Sequence, residues 1–375
     1  MFSTTQNLPP VSKSLYKSTL DFLILQSPIE PKGNHLRRLN TFAAMICSCI
    51  KTKKSSLEGI SRPEGASSKQ SESHLSQAKR WVSSKWTDWE TFFAPYAAKL
   101  LAKIAAKGEL VLVIDGSETA ADCVTLMLSV VWRGYAIPLV WITRKGKKGH
   151  FSEDVHLELL VMGKKILPSG CRIVLLGDGE FDGQRLREMC KGLKWEFVLR
   201  TSVDKKVDCG GETANLGELC PQPGSETVFI EDACQGDNAV LWWAKGFESP
   251  IPLLTNMDLG EMACDYYRRR FKIETLFKQL KSAGFQLHKS QVEGVERVRN
   301  LIIVVAFAFI FTFCAGLLLK KQPPDMLKTF ARADRVDKMR PITLTQKCID
   351  SAWEFALCIF SDLSKNWDTF FLEST

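Results

Sequence analysis

The sequence lacks the cysteine pairs that hold structural zinc or catalyse thiol exchange. Its twelve cysteines include no C-x-x-C pair, and no histidine lies in the segment that holds Cys209, Cys220 and Cys234. The N-terminus also lacks the basic start, apolar run and small-residue cleavage site of a secretory signal. These absences argue against a zinc site and predict free thiols in a reducing compartment.

The excess of positive charge is confined to one part of the chain. Residues 1–108 hold 16 Lys and Arg against 7 Asp and Glu, whereas residues 109–375 hold 34 against 35. A basic module joined to a neutral one indicates a polyanion-binding part attached to a part with another task. A merely well-solvated helical domain is the alternative interpretation.

The basic part has the periodicity of helices. Apolar residues recur at helical spacing over residues 36–50 and 75–93, with Ser, Gly and Pro-rich sequence at 60–73 between them. Two basic helices around a loop are a common way to meet a DNA duplex, although no pattern here is specific to a helix-turn-helix. The predicted phosphate contacts are Arg37, Arg38, Lys51, Lys53, Lys54, Lys79 and Arg80.

From residue 109 the pattern changes to strands that alternate with helices. The predicted strands are Leu110–Ile114, Cys123–Trp132, Ala136–Thr143, Arg172–Leu176 and Trp195–Arg200, and the predicted helices are Glu153–Ile166 and Gln184–Leu193. This order predicts an α/β fold of the ribonuclease H-like type.

Acidic residues follow two of these apolar strands. Asp115 and Asp178 come just past strand ends, where α/β sheets expose their functional groups. Glu180 and Asp182 point the same way as Asp178 in an extended segment, so direction does not separate the three. We favour Asp178 because it directly follows the strand, with Asp182 as the alternative.

The segment Tyr267–Lys281 (YRRRFKIETLFKQLK) places one acid among groups that suit phosphate. On a uniform helix Tyr267, Arg270, Glu274 and Lys281 fall within about 60° of one another. A phenol, a guanidinium and an ammonium then surround the Glu274 carboxylate. The alternative is an amphipathic surface helix in which Glu274 pairs with Arg270 or Lys278.

The spacing Y-x2-R-x3-E-x6-K resembles the Y-R-E-K signature of bacterial insertion-sequence transposases of the DDE class, the IS-four-like group. VLVIDGS at Asp115, LLGDGEF at Asp178, FVLRT ending near Arg200 and LLTN at 253–256 are similar to that group as well. The resemblance implies five parts: a helical DNA-binding domain (1–108), a ribonuclease H-like core (109–200), a β-rich insertion (201–252), the second part of the core (253–320) and a helical tail (321–375).

The resemblance also implies a mechanism and partners. Asp115, Asp178 and Glu274 would be catalytic and would hold two Mg²⁺ or Mn²⁺ ions, while Tyr267, Arg270, Lys281 and the weaker candidate Arg200 would bind DNA. The expected function is cut-and-paste transposition: cleavage at the terminal inverted repeats and strand transfer into target DNA. A homodimer on paired ends, in the cytoplasm of a bacterium and associated with its nucleoid, is expected. A nuclease without strand transfer and a catalytically inactive DNA-binding derivative are the alternatives.

Two segments leave choices open. Leu301–Leu319 contains no charged residue, which by length fits a membrane span or a buried core helix. The resemblance implies the buried helix and no membrane. Family members that cut through a DNA hairpin are expected to have an aromatic residue where this chain has Ile251 and Pro252. Trp242 and Trp243 would either supply this aromatic residue or lie in the core, so the route of second-strand cleavage stays open.

Overall fold

A computed structural model describes residues 14–62, 68–106, 108–120, 122–147, 150–224 and 227–372. The helices are α1 (Leu15–Gln26), α2 (Gly33–Thr52), α3 (Ser68–Val82), α4 (Trp89–Phe92), α5 (Ala94–Ala105), α6 (Glu153–Lys164), α7 (Gln184–Gly192), α8 (Gly260–Tyr267), α9 (Lys272–Lys278), α10 (Val295–Lys320), α11 (Pro324–Leu327), α12 (Ala333–Val336), α13 (Pro341–Ser351), α14 (Trp353–Lys365) and α15 (Trp367–Leu372). The strands are β1 (Leu110–Ala120), β2 (Cys123–Trp132), β3 (Tyr135–Lys145), β4 (Ile173–Gly177), β5 (Glu196–Arg200), β6 (Lys206–Asp208), β7 (Thr213–Asn215), β8 (Val228–Cys234), β9 (Asp237–Trp242) and β10 (Ile251–Thr255).

These elements form two compact units. The first comprises the described parts of residues 1–96, 119–121 and 278–375, and the second those of 97–118 and 122–277. The first unit is helical and the second holds the sheet. The five-part division remains a prediction, and parts of it, including residues 1–13 and 63–67 of the helical region and linker, lie outside the described residues.

The second unit is built on a mixed sheet of eight strands in the order β3-β2-β1-β4-β5-β10-β9-β8. β1, β4 and β5 are parallel neighbours, whereas β2 with β3 and the strands β5, β10, β9 and β8 pair antiparallel. β4 is buried along its whole length, as strands covered on both faces are. This mixed α/β architecture agrees with the fold class at the level of its elements.

The region 201–252 does not stand wholly apart from the main sheet. β10 pairs with β5 on one edge and leaves its other edge to β9, which in turn pairs with β8. An unpaired edge strand would expose its backbone donors and acceptors, and this pairing satisfies them. β6 and β7 form a separate two-stranded sheet.

The core of the first unit is the apolar helix α10. An 18-residue window in it has a mean hydropathy of 2.8, and 94% of that window is buried inside the protein. Phe307 packs edge-on against Phe42, Phe93 and Tyr96 at centroid distances of 5.2, 5.3 and 5.2 Å. A helix that is apolar on every side is therefore covered by its own chain, as the core-helix interpretation of residues 301–319 requires.

Candidate active site

Asp115 lies where the buried part of β1 ends. Residues 110–114 are completely buried, and the Asp115 side chain is 16% exposed. One of its carboxylate oxygens accepts a hydrogen bond from the Gly116 backbone at 2.7 Å. The strand thus delivers a nearly buried carboxylate to one edge of the sheet.

The neighbouring parallel strand brings Asp178 to the same edge. Val113 pairs with Leu176, so the next residues along both strands lead to Asp115 and Asp178 together. The backbone N–H of Glu180 donates to the Asp178 carboxylate at 3.0 Å and fixes its orientation. Asp115 interacts electrostatically with Asp178, as parallel strands that end in register require.

The structure separates the three acids that the sequence left together. Glu180 turns away and accepts hydrogen bonds from the Phe151 backbone at 2.6 Å and from His156 at 3.3 Å. Burial raises the pKa of Glu180, but these bonds, with one from His150, outweigh it and hold the pKa below its ordinary value. Asp182 accepts from the Thr201 hydroxyl at 2.6 Å and so belongs to another contact.

The helix that carries Glu274 is not uniform, and the prediction of one continuous helix over 267–281 is wrong in this respect. α8 ends at Tyr267, and α9 begins at Lys272 after a run of turns. In this run the N–H groups of Arg270 and Ile273 bond to carbonyls three residues back, which tightens the coil. A π-helical turn at Gln279–Ala283 then widens it. A constant rotation of 100° per residue therefore does not describe the segment.

Arg270 connects two of the three carboxylates. Its guanidinium lies 2.7 Å from Glu274 and 3.7 Å from Asp115. The Arg270 side chain is only 8% exposed, whereas that of Glu274 is 54% exposed. The pairing of Glu274 with Arg270 that the surface-helix alternative predicted is thus present, but it lies inside an acidic cluster.

Tyr267 lies beneath the same guanidinium. Its ring is 1% exposed, and the Arg270 guanidinium carbon is 5.7 Å from the ring centroid. Burial raises the pKa of Tyr267, the positive charges of Arg270 and Arg200 lower it, and Asp178 raises it. These interactions place Tyr267, Arg200 and Asp178 in one electrostatic neighbourhood.

Burial and like charges act together on Asp115. Desolvation is the largest cause and Asp178 the next, and together with Glu274 they raise the pKa of Asp115 to about 7, against the opposing effects of Gly116 and Arg270. Carboxylates that share a poorly solvated site repel one another when all are charged. The cluster therefore holds more negative charge than its surroundings compensate.

The chemistry of these side chains suits a hard divalent cation. Carboxylate oxygens are the ligands that Mg²⁺ and Mn²⁺ prefer, and a cation would relieve the repulsion at Asp115. Among the described residues, no three His, Cys, Asp or Glu side chains form a ready-made metal group. Arg270 supplies positive charge to two of the carboxylates in this arrangement. Carboxylates of this kind suit such a cation, and the Glu274 carboxylate is paired with Arg270 in this arrangement.

The remaining predicted DNA-binding residues fall in different places. Arg200 ends β5 and is exposed, whereas Lys281 lies in the π-helical turn of the first unit. Arg37 and Arg38 line a cavity in the helical unit. Of the other predicted phosphate contacts, Lys51 stacks on Trp353, 4.7 Å from the ring centroid, and Lys53 pairs with Asp350, which leaves them less free for DNA.

Trp242 and Trp243 differ in burial. Trp242 is 5% exposed, and the Arg268 guanidinium lies 4.7 Å from its ring centroid. Trp243 is half-buried, and its indole donates to the Phe247 carbonyl at 2.8 Å. Trp242 is therefore packed as a core residue, whereas Trp243 is partly open to solvent.

Sequence reasoning missed the support that surrounds Asp178. His156, from α6, is 3% exposed and reaches Glu180, two residues beyond Asp178. Phe151 lies over Gly116, where an added Cβ would be 3.0 Å from its ring. The sequence FSEDVH matches no motif that would single out His156. Its contact with Glu180, 24 residues along the chain, is visible only in the folded structure.

Comparisons with known proteins address the same segment. Residues 253–311 match a family model described as transposase DDE domain. No curated protein shows a significant match to the sequence. A cryo-EM structure of a piggyBac transposase synaptic complex with hairpin DNA is similar at 12% identity, over 88% of this chain and 77% of that chain, with a TM-score of 0.47. A crystal structure of Ciona intestinalis endonuclease V bound to inosine-containing DNA is similar at 16% identity, over 51% and 96%, with a TM-score of 0.27.

The family match carries the assignment. The matched residues include Arg270, which lies 3.7 Å from Asp115, and Glu274, which is paired with Arg270. DDE transposases generally use divalent metal ions, which agrees with the carboxylates described above. Residues 253–311 thus match a transposase DDE domain, and this match supports a DNA transposase, an enzyme of the DDE class.

Proposed function

We propose that this transposase works by cut-and-paste transposition, with cleavage at the ends of its element followed by strand transfer into target DNA. The observation that carries the proposal is the shared electrostatic environment of Asp115, Asp178 and Glu274 at one edge of the sheet. Carboxylates gathered in this way serve phosphodiester chemistry, in which an oxygen nucleophile is activated and a leaving oxygen stabilised.

We further propose a ribonuclease H-like core and membership of the IS-four-like group. The meander of β1 to β3, followed by β4 and β5 parallel to β1, supports the core. The unbroken spacing of Tyr267, Arg270, Glu274 and Lys281 supports the Y-R-E-K signature. The buried position of Tyr267 against Arg270 gives that spacing a physical role.

The proposed cofactor is a pair of Mg²⁺ or Mn²⁺ ions held by Asp115, Asp178 and Glu274. Asp115 interacts electrostatically with both other carboxylates, which supports one shared set of ligands. When bound, the ions would supply Lewis-acid activation of the attacking oxygen and stabilisation of the leaving oxygen. Glu274 would give up its pairing with Arg270 to hold a cation.

Arg270 then has a second task. Once its carboxylate partners are neutralised, its guanidinium is free to hold a phosphate beside the scissile bond. Tyr267 fixes it from below, and Arg200 adds positive charge near the same tyrosine. Lys281, with Arg37 and Arg38 of the helical unit, would contact the backbone of the bound DNA.

The proposed partners are the terminal inverted repeats and the target DNA, bound by a homodimer on paired ends. The proposed location is the bacterial cytoplasm, in association with the nucleoid. The basic charge of residues 1–108 supports binding to DNA.

Strand transfer distinguishes this function from that of a simple nuclease. The substrate is duplex DNA that carries one end of the element and has already been cut there, so that it ends in a free 3′ hydroxyl. It is mixed with supercoiled target DNA and Mg²⁺. We expect covalent joining of substrate to target by the wild type and none by Glu274→Gln, with Asp182→Asn as the active acidic control. Cleavage of uncut ends without joining of pre-cut ends would establish the nuclease alternative.

A further inference from the structure

The helical unit contains a cavity of about 740 Å³ between α2 and α3. Arg37 and Arg38 of α2 and Arg80 and His74 of α3 line it, together with uncharged polar side chains and the buried Trp81. Pockets of about 300–1,000 Å³ are of the size that encloses a small molecule or a single nucleotide. The concave surface is too small to take a DNA double helix.

The charge of this cavity is of one sign. Among the described residues, three guanidinium groups line it and no carboxylate does. In the described residues, neither Arg37 nor Arg38 has an ion pair, and the Arg80 guanidinium donates to the Ser76 carbonyl at 3.4 Å. Guanidinium groups held close together without acids are the usual arrangement for phosphate.

An exposed tryptophan, Trp86, lies next to Arg38 and follows the cavity-lining Ser84 by two residues. The Trp86 side chain is 60% exposed, in contrast to Trp81 of the same segment, which is 3% exposed. The Arg38 guanidinium lies 5.9 Å and the Lys85 ammonium 5.3 Å from the Trp86 ring centroid. A solvent-facing indole flanked by cations combines a stacking surface for a base with charge for its phosphate.

The turn that presents Trp86 is held firmly. The Thr87 hydroxyl donates to the Ser84 carbonyl at 2.9 Å, and the Ser84 hydroxyl accepts from the Trp86 backbone at 3.2 Å. Asn300 of the core helix α10 donates to the Val82 carbonyl at 3.0 Å. The backbone that carries Trp86 is therefore held before any ligand binds, which lowers the entropy cost of ordering this turn.

We propose that this groove binds one unpaired nucleotide of a DNA strand, with Arg37, Arg38 and Arg80 on its phosphates and Trp86 stacked on its base. The inference rests on the proposed function for its choice of DNA over other phosphate-bearing ligands. It goes beyond that function because it gives the helical unit a preference for unpaired over paired DNA.

The test measures the affinity of the full-length protein for labelled DNA by fluorescence anisotropy. The probes are an oligothymidylate of about 12 nucleotides and a blunt-ended duplex of about 12 base pairs. We expect Trp86→Ala to weaken oligothymidylate binding about tenfold and Trp86→Phe to keep it within about threefold, with duplex binding little changed. Oligothymidylate affinity of Trp86→Ala equal to the wild type, or an equal loss on the duplex, would overturn the proposal.

Charge variants test the phosphate contacts separately. Arg37→Gln should lower the slope of log affinity against log salt by about 0.7 for the single strand. Lys365→Gln, at the end of α14 and outside the groove, is the matched control and should leave the slope unchanged. A slope unchanged in Arg37→Gln would contradict the assigned contact.

The two proposals fail separately. Cleavage by Asp115→Asn would refute the proposed active site and leave the groove untouched. Unaltered strand binding by Trp86→Ala would refute the groove and leave the active site untouched.

Discussion

Replacing Asp115 by asparagine should make the metal-free protein more stable at neutral pH. The Asp115 carboxyl has a pKa of about 7 in the folded protein, against an ordinary value of 3.8. The folded state therefore keeps its proton to higher pH than the unfolded state does. Charged Asp115 destabilises the fold, by an amount that is absent below pH 3.8, grows as the pH rises and is complete above about pH 7.

The size of the effect follows from the same two pKa values. Their difference corresponds to a ceiling of about 4 kcal/mol, and relaxation around a side chain that retains some solvent contact reduces this to roughly 1–3 kcal/mol. For a unit of this length we expect a rise in Tm of roughly 3–10 °C. Asparagine keeps the shape of the side chain and never carries the charge.

Thermal unfolding in a chelator, followed between pH 4.5 and pH 8, measures this difference. Asp182→Asn is the matched control, since Asp182 accepts from Thr201 and lies 3.5 Å from Lys205. Its loss should lower stability by about 1 kcal/mol. The reasoning is refuted if Asp115→Asn is less stable than the wild type at pH 8, or if its advantage does not shrink as the pH falls.

Two further predictions concern stability. Asp237 is 1% exposed and paired with Arg187, so Asp237→Ala should lower the free energy of unfolding of the protein by about 3–5 kcal/mol, measured by urea denaturation. Asp154→Ala breaks an exposed pair and should lower it by less than about 1 kcal/mol. In Gly316→Ala the new Cβ would lie 2.2 Å from a backbone oxygen of α13, so we expect a cost of about 1–3 kcal/mol in the same assay. Gly192→Ala, with nothing within 4 Å of the new Cβ, should be neutral or slightly stabilising.

The sequence predicts the central strands well because their signal is local. The apolar runs that begin at Leu110, Cys123 and Arg172 all form strands, and the first residue of each strand lies within one or two residues of its predicted position. β1 continues to Ala120, beyond its apolar part, because pairing in the sheet and not hydrophobicity extends it. β8 and β9 join the main sheet through β10, a non-local arrangement that no window of sequence contains.

The site was predictable in its residue types and less so in its geometry. Strand ends indicated Asp115 and Asp178, but the separation of Asp178 from Asp182 depends on partners distant in sequence, such as Thr201. The tightened turns before Glu274 contain neither glycine nor proline, so nothing in the pattern signalled them. The deep burial of Arg270 follows from those turns and could not be read from an ideal helix.

The most direct test of the account is the Mg²⁺-dependent cleavage rate of duplex DNA that contains the ends of the element, measured at saturating DNA. Asp115→Asn, Asp178→Asn and Glu274→Gln are compared with the wild type and with Asp182→Asn. The account predicts losses of more than about a hundredfold for the first three, beyond the range of 10–100-fold typical of supporting residues, and near wild-type cleavage by Asp182→Asn. Normal cleavage by Glu274→Gln, or a loss confined to Asp182→Asn, would contradict it.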